Sequence, residues 1–543
     1  MVRFFIIIAL CLTISCSNNK AEHQISKTLS SNSSVVSGKP QATEAGISIL
    51  EKGGNAVDAA VTTAFVLSVV EPSMSGIGGR MQAIIRLNDD QIIGLDATTE
   101  VPLAYDVNTV SKEIYGYHVI GVPGVVAGLC ELQEKYGNLD LETVMSPAIS
   151  LAENGFPMGK VESQMHSAVF SRIQEFEGTR MHFLKKDGSS YKEGETFTQP
   201  ELAKTLKLIA KKGKDVFYSG IIAEKIVEDN QRNGGVLSLE DLANYQVKYS
   251  KVLQSSYRGY DIYGLWLPSF GAITIEIMNI LEVLPMQKYS DTEWIKSVYK
   301  AMVMGYADRK NQFLSDTSAM HLTSKNYAKK LSERILKSGN NDNKRNQEQS
   351  DLESTGHTTN LVTSDRDGMM VVLTQSLGPI MGSKVATPGL GFMHATASGK
   401  YLMAFEPGMR TNSHISPMII EKDGKPYLGI GAAGGSRIVT AIVNVLSRII
   451  DQEMSISEAL LAPRVFPNPD SIHLEVGNKR SWDPEIIEKL KEESFPISTK
   501  PDLTHFGIVH AILFDTISKE WIPAAEPDWD GLGSTTLNNG INK

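Results

Sequence analysis

Thr358 stands where a polar stretch of chain gives way abruptly to an apolar one. Residues 338–350 are Asn, Gln, Ser, Gly and charged side chains without an apolar residue among them, so that segment has nothing to pack. Residues 359–364 then read as a strand. A chain break between His357 and Thr358 would place a free α-amine beside the Thr358 hydroxyl, uniting nucleophile and general base in one residue. Judged on these residues alone, two β-branched threonines opening a strand is the plainer interpretation.

The neighbouring pattern gives the position more content. Residues 359–364 and 369–376 are β-rich runs joined at Asp365-Arg-Asp-Gly368, a hairpin signal. Antiparallel pairing about that turn sets Thr358 opposite residues 375–377, which makes Ser376 a neighbour able to orient its hydroxyl or amine. Ser376 could equally be a surface hydroxyl. Acyl transfer also needs donors for an oxyanion, and paired backbone N–H groups at a glycine-rich helix start supply them. Gly434-Gly435, between a strand at 425–430 and a helix at 436–450, fits that need, although a packing turn would use the same glycines.

Other elements must hold these groups in place. The chain has 543 residues, 41% hydrophobic and 21% charged, ample for a large globular core. Residues 42–52 read as a helix stopped by Gly53-Gly54, and Asn55 caps a second helix, 56–70, apolar nearly all round and therefore buried. Strands are expected at 81–87 and 91–96, joined at Asn88-Asp-Asp90. Helical patterns dominate from Gly121 to about Arg334, including 125–136 and 141–154, and a last strand lies at 506–514. A net charge of −9 leaves no basic excess for nucleic acid, which points to a small-molecule amide or peptide substrate. No Cys or His cluster has metal-ligand spacing, so neither a metal nor a cofactor is expected.

The start of the chain resembles an export signal. Arg3 precedes an apolar run, residues 4–12, too short to span a membrane comfortably. Leu12-Thr-Ile-Ser-Cys16 resembles a bacterial lipoprotein cleavage site, with Cys16 as the lipid-bearing residue, and an ordinary secretory cut nearby is the alternative. The expected organisation is a signal at 1–16, a flexible polar tether at 17–37, a large subunit at 38–357 ending in the polar linker, and a small subunit at 358–543. The mature protein would be exported and held by its lipid at a membrane, facing the periplasm or cell surface. Only Cys130 would then remain, so no intramolecular disulfide can form.

In order and in kind, these residues resemble the γ-glutamyltransferase (γ-glutamyl transpeptidase) family of N-terminal-nucleophile hydrolases. The similarity spans about 38–531 and includes Gly53-Gly-Asn-Ala-Val-Asp-Ala-Ala60, Val70-Glu-Pro72, Gly76-Ile-Gly-Gly79, Gly121-Val-Pro-Gly124, Thr358-Thr359, Ser416-Pro417 and Gly434-Gly-Ser-Arg437. The resemblance implies an α+β fold, a four-layer αββα sandwich, and self-cleavage into two fragments that stay together. It further implies Thr358 as nucleophile, Ser376 as its hydroxyl partner, Gly434 and Gly435 as oxyanion hole, and Ser413 as a contact to the substrate carboxylate.

The departures concern the glutamyl pocket. Thr98 and Thr99 replace the family's arginine and glutamate, and a threonine cannot form a bidentate ion pair with a carboxylate. Ala395-Thr-Ala397 and Gly399-Lys400 replace the elements that hold the α-ammonium. Gly378 stands for a substrate-contacting asparagine, His414 for a second serine, Asn360 for a histidine, and Arg80 for a third glycine. The expected acyl group therefore lacks the amino acid head of glutamate, with Thr98, Ser413 and His414 lining the pocket and Arg80 or Lys400 meeting an anion; both could equally be solvated surface cations, the plainer interpretation for Lys400.

Two other classes share part of this pattern. Gly429-Ile-Gly-Ala-Ala-Gly434 imitates a dinucleotide fingerprint, but Asp451, at the expected distance, ends a helix rather than a second parallel strand. A non-catalytic surface lipoprotein retaining the fold fits the eroded pocket, but it does not account for the intact Thr358, Ser376 and Gly434-Gly435.

Overall fold

The computed structural model describes residues 28–109, 113–309, 311, 317–337, 357–397, 406–468, 471–501 and 505–537. The signal and Cys16, the tether up to residue 27, the linker at 338–356, and Gly399 and Lys400 lie outside the described residues.

Two sheets stack face to face. The seven-stranded sheet runs in the order Leu532–Thr535, Ser34–Ser37, His357–Ser364, Met370–Gly378, Arg80–Arg86, Ile92–Ala97, Lys248–Ser250. The six-stranded sheet runs Glu520–Ala524, Ile508–Asp515, Lys425–Ala433, Met418–Lys422, Tyr260–Leu265, Val252–Tyr257. Val36, Ile84, Val362, Met370 and Val372 meet Ile419, Ile512 and Phe514 in the layer between the sheets. Alternate residues of the same strands face outward, where Leu361, Val371 and Leu373 pack on a helical layer containing Val57, Ala60 and Ala64. The opposite face of the second sheet is covered by helices Gly271–Glu282 and Arg437–Asp451. The result is the expected αββα sandwich.

The helix Ala56–Val70 is buried along its whole length because it lies between the sheet and two further helices, Pro40–Glu51 and Leu141–Asn154. Asn55 starts it with a capping box: its side chain accepts from Val57 N and Asp58 N, while Asp58 accepts from Asn55 N.

Two expectations are corrected. The expected tether reaches residue 37, yet Ser34–Ser37 is a buried strand between two others. Its serines are compatible with burial because their hydroxyls are satisfied: Ser34 Oγ donates to Ser534 O and Ser37 Oγ to Lys39 O. The region expected to be dominated by helices also holds the hairpin Val252–Tyr257/Tyr260–Leu265, turned at Arg258-Gly259 with φ of 53° and 82°. Positive φ at both turn residues matches the twist of a two-residue hairpin. The dinucleotide rival fails on topology as well: Lys425–Ala433 is antiparallel to both its neighbours, and Asp451 accepts from the Tyr257 hydroxyl at 2.6 Å. Cys130 is buried, and burial pushes its thiol up to about 12.

Candidate active site

The strand His357–Ser364 pairs along its whole length with Met370–Gly378, and the register sets Thr358 directly opposite Ser376. A bulge follows at Ser376/Gly378, where Gly378 adopts φ 98°. That irregularity turns the Ser376 hydroxyl into the centre of a short network. Thr358 Oγ1 donates to Ser376 Oγ at 3.1 Å, Gly378 N donates to the same oxygen at 3.0 Å, and Ser376 Oγ donates to the His357 carbonyl at 2.8 Å. The hydroxyl of the expected nucleophile is thus linked, through one serine, to the carbonyl that precedes it in the chain.

Thr358 is 4% exposed and opens onto a cavity lined by Arg80, Phe270, Arg309, Asn412, Ser413, His414, Gly378 and Gly435. Gly435 comes from the turn that ends Lys425–Ala433 and opens the helix Arg437–Asp451. Gly434 has φ 128° and Gly435 φ 60°, and a Cβ on Gly434 would meet Gly507 Cα at 3.1 Å. Side-chain-bearing residues are strained there, so the glycines set the direction of the backbone N–H groups. Ser436 offers no side-chain cap to the helix start.

The cavity walls are cationic and neutral polar, with apolar surface from Phe270 and Ile438, and no carboxylate stands among its described lining residues. Arg80 reaches it from the first sheet, donating Nη2 to Thr396 O at 2.7 Å and Nη1 to Thr411 Oγ1 at 3.2 Å. Arg309 lies over the Phe270 ring, 4.8 Å from its centroid. His414 meets the same ring edge-on at 5.0 Å. Burial, with Arg309 and Arg437 nearby, drives the His414 imidazole well below its usual range and keeps it neutral.

Of the residues expected at the site, Thr358, Ser376, Arg80, Ser413, His414 and Gly435 come together, with Gly434 adjoining. Thr98 does not. It is fully buried away from the cavity, and its hydroxyl donates to Asp96 Oδ1 at 2.7 Å, so it is occupied in holding the strand end. Its neighbour Thr99 reaches the site indirectly, sharing a hydrogen bond of 2.8 Å with Thr411, which in turn accepts from Arg80. Asn360 also faces elsewhere, toward His510 Nδ1 at 3.0 Å. Phe270, Arg309 and Asn412 were not singled out from the sequence; they arrive from separate segments, and no local pattern marks them.

A threonine hydroxyl held by a second hydroxyl at the head of an inner strand, facing a glycine turn across a two-sheet sandwich, defines the N-terminal-nucleophile class of amide hydrolases and acyltransferases. The comparisons agree. The family model described as gamma-glutamyltranspeptidase matches residues 42–535. A glutathione hydrolase proenzyme from Pseudomonas sp. (strain A14) is 33% identical over 484 residues, 82% of this chain and 83% of that protein. The acylase ACY 1 proenzyme of Pseudomonas sp. (strain SE83) is 30% identical, over 81% of this chain and 83% of its own. The crystal structure of cephalosporin acylase from Bacillus halodurans superimposes with a TM-score of 0.83 at 26% identity, over 93% of this chain and 96% of that one. The chain belongs to the gamma-glutamyltranspeptidase family and is an enzyme of its hydrolase and acyltransferase type.

Proposed function

We propose that this chain breaks itself between His357 and Thr358 and that Thr358, as the new N-terminus, then cleaves amides whose acyl group is not γ-glutamyl. The observation that carries the first part is the hydroxyl chain from Thr358 through Ser376 to the His357 carbonyl. Attack of Thr358 Oγ1 on that carbonyl carbon forms an ester as the C–N bond breaks, and the nitrogen becomes the free α-amine. Ser376 accepts the Thr358 proton while donating its own to the carbonyl oxygen, and as the tetrahedral intermediate collapses that proton passes from the oxygen to the departing nitrogen and the ester C=O is restored. Water then hydrolyses the ester, leaving a carboxylate on His357.

In the mature enzyme the same hydroxyl attacks a substrate amide. The α-amine takes the hydroxyl proton and returns it to the leaving amine. The backbone N–H groups of Gly434 and Gly435 hold the oxyanion, and water or a second amine releases the acyl group from Thr358.

For the acyl group, the supporting features are the cations of the cavity and the missing ammonium site. Arg80 and Arg309 favour an anionic group on the acyl chain, with Ser413 and neutral His414 as hydrogen-bonding partners. With no carboxylate among the described lining residues, an α-ammonium has no counter-charge there. Turnover of γ-glutamyl, glutaryl and butyryl p-nitroanilides by purified enzyme tests this. The glutaryl compound is expected to be cleaved best, and efficient turnover of the γ-glutamyl compound would refute the assignment. We further place the enzyme outside the cytoplasm, anchored through lipid on Cys16. Metabolic labelling with a fatty acid analogue in wild type and Cys16→Ala checks the anchor.

A further inference from the structure

Strand pairing leaves the first residues of the nucleophile strand with only one strand beside them. Met370–Gly378 runs alongside as far as His357, whereas Ser34–Ser37 pairs only with Leu361 to Ser364. Beside Thr359, that open flank is occupied by Gly38 and by the side chain of Glu71, which follows the helix Ala56–Val70. A Cβ placed on Gly38 would lie 3.1 Å from Thr359 Oγ1 and 3.4 Å from each Glu71 carboxylate oxygen, so the backbone there threads between the two side chains. Alternation along the strand sends Thr358 to the cavity and Thr359 to this outer side.

Glu71 is 0% exposed, and neither of its oxygens holds a well-formed hydrogen bond. The Thr359 hydroxyl and the Trp529 side chain lie beside it. The charged groups around it come from three other segments. Lys39 pairs with Asp530 at 2.9 Å, and Glu162 takes His166 Nε2 at 3.1 Å and the Ser73 hydroxyl at 2.7 Å. Burial pushes the Glu71 carboxyl up to about 7 against the pull of Lys39. Despite its own burial, Lys39 is held above its usual range by Glu71, Glu162 and Asp530, and Glu162 is held below its range by His166 and Lys39. A loosely bonded, buried carboxyl one residue removed from a nucleophile is poorly explained as packing.

We infer that Glu71 is a positioning residue for the mature N-terminus, gripping Thr359 on the open flank so that Thr358 stays aimed at the cavity once its bond to His357 is gone. This rests on the proposed break before Thr358. Until that break, residue 358 is held from both sides of the chain; afterwards it is a chain end, and chain ends fray unless tied down. An ionised carboxylate accepts the Thr359 hydroxyl more strongly than the neutral acid does, so the grip tightens as Glu71 loses its proton. Glu71 exchanges no proton with the substrate and acts through Thr359.

The test uses the full chain carrying Glu71→Gln, Thr359→Val, both together, or the conservative Thr359→Ser. All are expected to mature with Thr358 as N-terminus. Each of the first two should lower kcat about tenfold near pH 8 with KM little changed, the double variant should be no slower than the worse single, and Thr359→Ser should restore most of the rate. Glu71→Gln should also flatten the rise of kcat/KM between about pH 6 and 8 without lowering Tm at the upper end. Amide exchange at residues 359–361 of the mature protein supplies a readout independent of substrate, expected to be faster in both single variants. Additive losses, an unchanged pH profile, unchanged exchange, or a Tm that falls with the rate would overturn the inference. A wild-type chain that never breaks before Thr358 would instead refute the maturation on which it rests.

Discussion

Ser376 donates its hydroxyl hydrogen to the carbonyl of His357 while accepting that of Thr358, at 2.8 and 3.1 Å. In the proposed self-cleavage one side chain therefore both polarises the bond to be broken and receives the proton of the group that breaks it. In the proposed mature form the His357 carbonyl is no longer attached to Thr358, and only the second of these duties is left.

Self-cleavage should therefore suffer more than turnover when Ser376 is removed. Ser376→Ala is expected to slow appearance of the two fragments by about 10²-fold or more, the cost of losing one donor to a developing oxyanion. Thr in the same place should keep most of the rate. Quantifying fragments on denaturing gels after rapid purification checks both.

Gly434→Ala should yield a folded, matured enzyme with a kcat lowered by about 10²–10³-fold and a KM close to that of wild type. The φ of 128° and the 3.1 Å approach to Gly507 force the turn to shift, and the proposed oxyanion donors move with it. Steady-state kinetics separates this from a binding defect, which would raise KM instead.

Arg80→Gln should cut kcat/KM for a glutaryl anilide by about 10²-fold and leave a butyryl anilide nearly unaffected, since a charge-assisted hydrogen bond is lost only with the anionic substrate. Arg80→Lys should recover part of the difference. Equal losses on both substrates would show that Arg80 holds the cavity wall through Thr396 and Thr411 rather than meeting the acyl group.

Glu71 also makes a prediction about stability. Its folded carboxyl titrates near 7, above the 4.5 usual for glutamate, so the folded state binds its proton more tightly than the unfolded state does. The associated stability is fully present below about pH 4.5 and is lost as the pH rises through about 7, amounting to at most about 3 kcal/mol. Asp365, raised to about 6 by burial, contributes in the same direction over a lower range. Glu71→Gln should remove the Glu71 part, leaving Tm less dependent on pH between about 5 and 8 and higher than wild type at the upper end. Calorimetry across that range measures it, and a variant with the wild-type dependence would contradict the assignment.

The central pair was legible because strand periodicity and an Asp-Gly turn are local signals: together they bring Ser376 opposite Thr358, and the structure has that register. The glycine turn was legible for the same reason, as a break between a strand pattern and a helical one. Thr98 was misjudged because its position in the resemblance says nothing about where its hydroxyl goes, and Asp96, two residues before it, takes that hydroxyl. The strand at Ser34–Ser37 was hidden by its serines, whose partners lie hundreds of residues away or around the next turn of chain. Arg309 and Glu71 matter through what folding brings beside them, Phe270 and His414 for one, Thr359 and Lys39 for the other. No spacing in the sequence encodes those meetings.

The most direct test of the account is N-terminal sequencing of the purified wild-type protein and of Thr358→Ala after separation on a denaturing gel. Wild type should give two fragments, the smaller beginning at Thr358, and Thr358→Ala a single chain with the bond after residue 357 intact. A wild-type protein that remains one stable chain, or a Thr358→Ala variant that is cut at the same bond, would contradict self-cleavage by Thr358.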